Sequence, residues 1–399
     1  MKGTAIFRVP SEVLYGRDAF TQVGEKVAAL GRKALVISDP VMERIGYVDR
    51  CRQFLQQAGR PHGSYLGVDS EPTDRHVAEA LEQFQREQCD VIVSLGGGSC
   101  IDTGKAVAIL AANGGDISQY VGGKKVVQQP SVPLIAIPTT AGTGSEVTDV
   151  TVITQTATDV KLMVKHPALT PAVAIVDPVL TVSSPPHVTA STGVDALCHA
   201  VEAYISRRAH PLTDSHARSA IDRIYRYLRR AYKDGKDLEA REQMSLAAME
   251  AGIAFSNASV CLVHGMSRPI GAVFHVPHGV SNAMLLPAVL EFKNEAYRRN
   301  LADIGRIFRE DGNALTEEEA AHTAVAEVKR LCLELNIPNM ANWGIDPHSF
   351  ESHLEKMAQD AIDSGSPGNH PVVPTQEEII QLYHECYDYR FSGAISSHR

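Results

Sequence analysis

Asp195 and His199 stand four residues apart in Ser191-Thr192-Gly193-Val194-Asp195-Ala196-Leu197-Cys198-His199-Ala200. On a helix that spacing puts both side chains on one face, one turn apart, and the alanines at 196 and 200 leave room beside them. Further on, His264 sits in the small-residue stretch Val263-His264-Gly265-Met266, which reads as helix. His275 and His278 lie in His275-Val276-Pro277-His278-Gly279, which reads as a turn. A lone histidine is most often a core or surface residue, but histidines beside glycine and proline inside apolar runs are harder to explain that way. One carboxylate with two or three imidazoles makes a site for a divalent cation, with bonds of ~2.0–2.2 Å if the ion is zinc. Charged stretches such as Arg223–Arg230 read as solvated helix faces.

A second set of residues suits a nucleotide. Leu95-Gly96-Gly97-Gly98-Ser99-Cys100-Ile101-Asp102 follows an apolar strand and leads into a helix. Glycines there let backbone approach a ligand closely, and the N–H groups at the helix start favour phosphate oxygens. The turn is not the GxGxxG fingerprint, and it misses a Walker A loop. Five residues separate Gly98 from Gly104 where four are required, and Ala106 follows Lys105 where a hydroxyl residue is required. A second loop, Pro138-Thr139-Thr140-Ala141-Gly142-Thr143-Gly144-Ser145-Glu146, leaves the C-terminal edge of the next strand, the side on which open α/β sheets bind ligands. Asp39 ends an earlier strand. Alone it reads as a helix cap. Beside a nucleotide it would accept hydrogen bonds from ribose hydroxyls and repel a 2′-phosphate, which favours NAD over NADP.

The elements that must position these residues alternate in the first half. Residues 33–39, 89–95, 132–138 and 172–178 are short, apolar and β-branched, with helical spacing at 48–58, 74–88 and 102–112 between them. That alternation predicts a parallel sheet covered on both faces, with 147–154 and 161–164 as a hairpin. Ser183-Ser184-Pro185-Pro186 breaks the pattern, and only helical periodicity follows. Thr316 with Glu319, and Thr375 with Glu378, have capping-box spacing; Asp346-Pro347 offers an N-cap with proline in the first turn. We therefore expect an α/β dinucleotide-binding domain over 1–185 and an all-helical metal-binding domain over 186–399. A cleft between them would bring a Lewis acid and a hydride carrier together.

Composition narrows the function. With 38 basic against 47 acidic side chains the net charge is −9, which argues against nucleic acid or an anionic membrane as partner. No apolar run reaches the ~18–20 residues that span a bilayer, and the N-terminal residues lack the apolar stretch of a secretory signal. Seven cysteines, odd in number and without a CxxC pair, suit reduced thiols in a cytoplasm. A homodimer or larger closed assembly is the generic expectation.

Taken together, GGGSCIDTGK at 96–105, PTTAGTGSEVT at 138–148, STGVDALCHAVEAYIS at 191–206 and HGMSRPIGAVFHVPHGVSNAMLLP at 264–287 resemble the iron-containing (group III) alcohol dehydrogenase family nearly end to end. The resemblance implies a Rossmann-like N-terminal domain and a helical C-terminal domain, the fold shared with dehydroquinate synthase. It also implies NAD(P) and one divalent metal, commonly iron or zinc. The implied metal ligands are Asp195, His199, His264 and His278. The implied cofactor contacts are Asp39, Gly97, Gly98, Ser99, Asp102, Thr139, Thr140, Thr143 and Lys161. Lys161 would otherwise read as a solvent-facing strand lysine. The implied reaction is hydride transfer between NAD(H) and a small primary alcohol or aldehyde. A synthase-like metal- and NAD-dependent lyase and a non-catalytic scaffold are the alternatives. Where many relatives carry histidine four residues after the third ligand, this chain has Arg268. It reads either as a structural ion pair or as a clamp for an aldehyde bearing a carboxylate, sulfonate or phosphonate. His275 is the candidate for proton shuttling.

Overall fold

The computed structural model describes residues 4–392. Eight strands form in chain order: β1 (Glu12–Tyr15), β2 (Ala34–Ile37), β3 (His62–Tyr65), β4 (Val91–Gly96), β5 (Leu134–Pro138), β6 (Val150–Gln155), β7 (Val160–Lys165) and β8 (Val173–Val176). Six of them pair in the order β1-β8-β5-β4-β2-β3, every pair parallel. β6 and β7 form a separate antiparallel hairpin. The interior strands are apolar apart from Ser94 on β4, because both faces are covered. Side chains alternate across the sheet, so Leu35, Ile37 and Ile92 pack on one face with Phe84, Val107 and Ile109. Val36, Val91 and Val93 pack on the other with Phe20, Val27, Val48 and Leu55. The covering helices are α1 (Val23–Leu30), α2 (Pro40–Arg44), α3 (Tyr47–Gln57), α4 (Asp74–Arg86) and α5 (Gly98–Asn113).

β1 and β3 carry no clear signal in the sequence. Both are edge strands, and β3 (His62-Gly63-Ser64-Tyr65) lacks the β-branched residues that mark its buried neighbours. The helix read over 102–112 starts earlier, at Gly98, so the glycine turn itself supplies its first residues.

From Pro185 onward the described chain is helical. It continues as α6 (Pro186–Ile205), α7 (Pro211–Lys233), α8 (Leu238–Ala258), α9 (Leu262–Phe274) and α10 (His278–Glu291), then helices at Arg298–Ile307, Glu317–Glu334, Pro347–Asp363 and Gln376–Tyr387. The capping boxes form at Thr316 and Thr375, and Asp346 caps the helix that Pro347 opens. The chain divides into two compact units, Arg8–Ser184 and Pro185 onward, the latter joined by residues 4–7. In that second unit Phe7 stacks on His216. No single described helix is long and apolar enough to cross a membrane.

Candidate metal centre and nucleotide loops

α6 is apolar nearly all round and buried along most of its length, the pattern of a helix enclosed by others. It presents Asp195 and His199, 1% and 4% exposed, to the start of α9, where His264 is the third residue, and of α10, which His278 opens. Close approach of α10 depends on Gly279. A Cβ there would stand 2.9 Å from the backbone oxygen of Ser191 on α6. The result is convergence. Asp195 Oδ1 lies 3.9 Å from His199 Nε2, 3.7 Å from His264 Nε2 and 3.9 Å from His278 Nε2. All four ligand atoms fall within 4.8 Å of one another.

The electrostatics suit a cation. Burial drives His264 well below the ordinary histidine range, with His199 and Arg268 adding to the effect, so its ring is neutral and keeps a lone pair. Burial opposes ionisation of Asp195, but the surrounding imidazoles and the Asn282 amide outweigh it and hold the carboxyl below its usual range. Asn282 Nδ2 stands where the lone pairs meet, 2.6 Å from Asp195 Oδ1 and 3.1 Å from Nε2 of both His264 and His278. One NH₂ has two hydrogens for these three acceptors. The buried Oδ1 of the same amide and Nδ1 of His199 have no hydrogen-bond partner among the described residues. A surplus of acceptors around one point is the environment a divalent ion relieves, and the mixed N/O donor set fits iron or zinc.

His275 lies outside this cluster. It ends α9 in the left-handed region, φ 55°, with an exposed side chain, three residues before His278. Arg268 follows His264 by one turn of α9. Its Nη1 donates to Ser366 Oγ at 3.0 Å; burial lowers its pKa to about 10, and the Glu202 carboxylate opposes that shift. These internal partners favour the ion-pair reading over the clamp.

In the first unit, the glycine turn and the threonine loop meet at the start of α5. A Cβ on Gly98 would lie 2.7 Å from Thr143 Cγ2, so only glycine permits this approach. Gly97, Ser99, Thr140 and Thr143 surround the helix N-terminus, where N–H groups point outward for an anion. Thr139 is buried, and its N–H donates to Gly96 O, joining the start of the threonine loop to the end of β4. Asp102 also faces inward. Ser145 Oγ and Val152 N–H donate to its two oxygens, so it holds the threonine loop in place. Asp39 caps α2, accepting from the N–H groups of Val41 and Met42 with one oxygen, while the other lies 3.6 Å from Cys100 Sγ beside the glycine turn. Lys161, on β7, forms an ion pair with Glu71.

Three buried side chains that the sequence left unmarked support these loops and the metal centre. Lys105 donates to Thr148 Oγ1 and Val150 O, both at 2.8 Å, tying α5 to the threonine loop instead of reaching for a phosphate. Glu146 is buried beside it. Glu202 stands next to His264 and could have been suspected, being three residues from His199 on the same helix face.

The family profile described as "Iron-containing alcohol dehydrogenase" matches residues 10–178, and that described as "Fe-containing alcohol dehydrogenase family, C-terminal" matches 189–387. The chain is 39% identical to a 1,3-propanediol dehydrogenase of Klebsiella pneumoniae, over 96% of this chain and 98% of that one. It is 38% identical to an NAD-dependent methanol dehydrogenase of Bacillus methanolicus, over 94% and 98%. A crystal structure of a 1,3-propanediol oxidoreductase superposes with a TM-score of 0.92 at 38% identity, covering 96% of this chain and all of the other. An alcohol dehydrogenase from Oenococcus oeni gives a TM-score of 0.92 at 34% identity, with the same coverage.

Burial raises Glu146 from 4.5 to about 7. Between those values the folded chain keeps a proton that the unfolded chain has released, so stability falls as pH rises through the window. Glu146→Gln removes this titration. Measured by urea midpoints at both ends of the window, the variant is expected to gain on the unsubstituted protein at the upper end; an equal difference at both ends contradicts the assignment.

Proposed function

Since the chain belongs to the iron-containing alcohol dehydrogenase family, we propose that it transfers hydride between NAD(H) and a small primary alcohol or aldehyde at a single divalent cation. The observation that carries this reading is the meeting of Asp195, His199, His264 and His278 within 4.8 Å. Asp195, His199, His264 and His278 would hold the cation, which would supply Lewis-acid polarisation of the substrate oxygen, and NAD would supply the hydride carrier. Iron is the family's eponymous metal, and the donor set also accepts zinc.

This chain's own residues do the rest. Three imidazoles and one carboxylate would leave a divalent cation held there a net positive charge. Gly97, Gly98 and Ser99 offer N–H groups to the dinucleotide phosphates, with Thr139, Thr140 and Thr143 beside them, while Asp102 holds the threonine loop in place. Asp39 is the group we assign to the adenosine ribose. Lys161 is assigned to the nicotinamide ribose, a role that requires it to leave Glu71. His275 is assigned to proton transfer with solvent. The division of labour near residue 185, nucleotide before and metal after, belongs to the same proposal. So does a cytoplasmic location, supported by seven free, buried cysteines. We propose a closed homo-oligomer, a dimer first, as the usual form. The lyase and scaffold readings lose their ground to the family assignment.

His264→Ala is expected to abolish NADH formation from short primary alcohols and strip the metal, with NAD affinity largely retained; normal turnover by a metal-free preparation would overturn the reading. His275→Ala should lower turnover roughly 10²-fold at unchanged metal content, and unaltered turnover removes it from the mechanism. Arg268→Ala should keep the wild-type preference between neutral and anionic aldehydes, because the guanidinium is engaged internally. Selective loss of activity toward carboxylate-, sulfonate- or phosphonate-bearing aldehydes would establish the clamp.

A further inference from the structure

Glu202 lies on α6, seven residues beyond Asp195 and three beyond His199, and is 1% exposed. A buried carboxylate needs donors, and backbone N–H groups supply them to both oxygens. Its Oε1 accepts from the Val263 N–H at 2.6 Å, and its Oε2 from the Cys261 N–H at 2.9 Å. Those N–H groups open α9, whose cap residue Cys261 offers no side-chain acceptor of its own. A carboxylate from a neighbouring helix thus does the capping, at the positive end of the α9 dipole. The third neighbour is His264 Nδ1, 2.7 Å from Oε2. Arg268, one turn further along α9, brings a positive charge to the same carboxylate.

Backbone N–H groups can only donate, so Glu202 is held as an acceptor on both oxygens. The Asn282 amide NH₂, also a donor only, faces Nε2, so the ring's proton belongs on Nδ1, in the contact with Glu202. The lone pair then remains on Nε2, which faces Asp195 Oδ1 at 3.7 Å and Asn282 Nδ2 at 3.1 Å. His199 provides the contrast. Its Nδ1 has no partner among the described residues, and its ring is held by stacking on Phe255 and His264, with centroids 4.2 and 4.4 Å away. One imidazole is oriented by a hydrogen bond, the other by packing.

We propose that Glu202 is a positioning residue of the metal centre: it locks His264 in the Nδ1–H tautomer, with Nε2 turned to the cation, and fastens the first turn of α9 to α6. The inference rests on the metal-centre reading above. A ligand whose far nitrogen is fixed in this way meets the ion without first selecting a tautomer, and its basicity rises.

Zn²⁺ binding to the metal-stripped full-length protein, measured against a competing chelator, tests this, together with ¹⁵N spectra of the histidine rings in the same apoprotein. The His264 signals are assigned by their loss in His264→Gln. Glu202→Gln keeps the side chain's size but swaps one acceptor oxygen for a donor, and is expected to weaken Zn²⁺ binding roughly 10–100-fold. The unsubstituted apoprotein is expected to show a protonated Nδ1 and a bare Nε2 on His264, a signature that a merely structural Glu202 would not fix. Zn²⁺ affinity of Glu202→Gln equal to that of the unsubstituted protein, or an Nε2–H tautomer in the latter, overturns the proposal. If Glu202→Gln fails to fold, the tautomer in the unsubstituted protein decides alone. An unsubstituted protein that binds no Zn²⁺ or Fe²⁺ overturns the metal-centre reading itself, and this inference with it.

Discussion

A buried carboxylate cannot sit among apolar helices without compensation, and Asp195 is the point on which the helical unit turns. Removing that charge from water costs several kcal/mol unless hydrogen bonds and opposite charge restore it. Here the compensation comes from three directions: the Asn282 amide at 2.6 Å, imidazoles from α6, α9 and α10, and the cation that their lone pairs await. Most of the packing around α6 follows from this need. Small residues line the approach of α10, Gly279 lets its first turn touch the α6 backbone, and Glu202 draws the start of α9 against the same helix.

The first unit meets a comparable problem with a lysine set among acids. Lys105 and Glu146 are buried beside the half-buried Asp102 at the threonine loop, and desolvation pushes both acids up and the lysine down to about 8. Opposite shifts of this kind keep net charge low inside the fold while leaving each group hydrogen-bonded. The network fixes the loop from below, so that Gly98 and Thr143 can meet closely above it. Rigidity under the loop is what lets backbone N–H groups hold an anion in a fixed place.

Arg268 shows how a buried cationic side chain is accommodated beside the candidate metal centre. A guanidinium in this position next to a metal site would repel the cation unless its charge were answered, and the Glu202 carboxylate and Ser366 hydroxyl answer it. The same carboxylate therefore serves α9 twice, at its first turn and one turn along.

Much was legible without coordinates. The interior strands, the hairpin, the helical second half and its capping boxes are all local patterns: β-branched runs, breaker clusters, and acids three residues after threonines. Asp195 and His199 were legible for the same reason, because a four-residue spacing on a helix is itself a geometry. The edge strands β1 and β3 were not, since pairing with a neighbour, and not side-chain pattern, makes them strands. Nor were the roles of Lys105, Glu146, Asn282 and Glu202. A sequence records that such residues exist, but whether a lysine reaches a phosphate or a backbone oxygen depends on what the chain folds beside it. Residue type and local spacing settle which side chains can bind a cation and which turns can cradle a phosphate. That three separate helices bring their lone pairs to one point, and that Glu202 holds one of them there, comes from packing, which fixes contacts between residues distant in the chain.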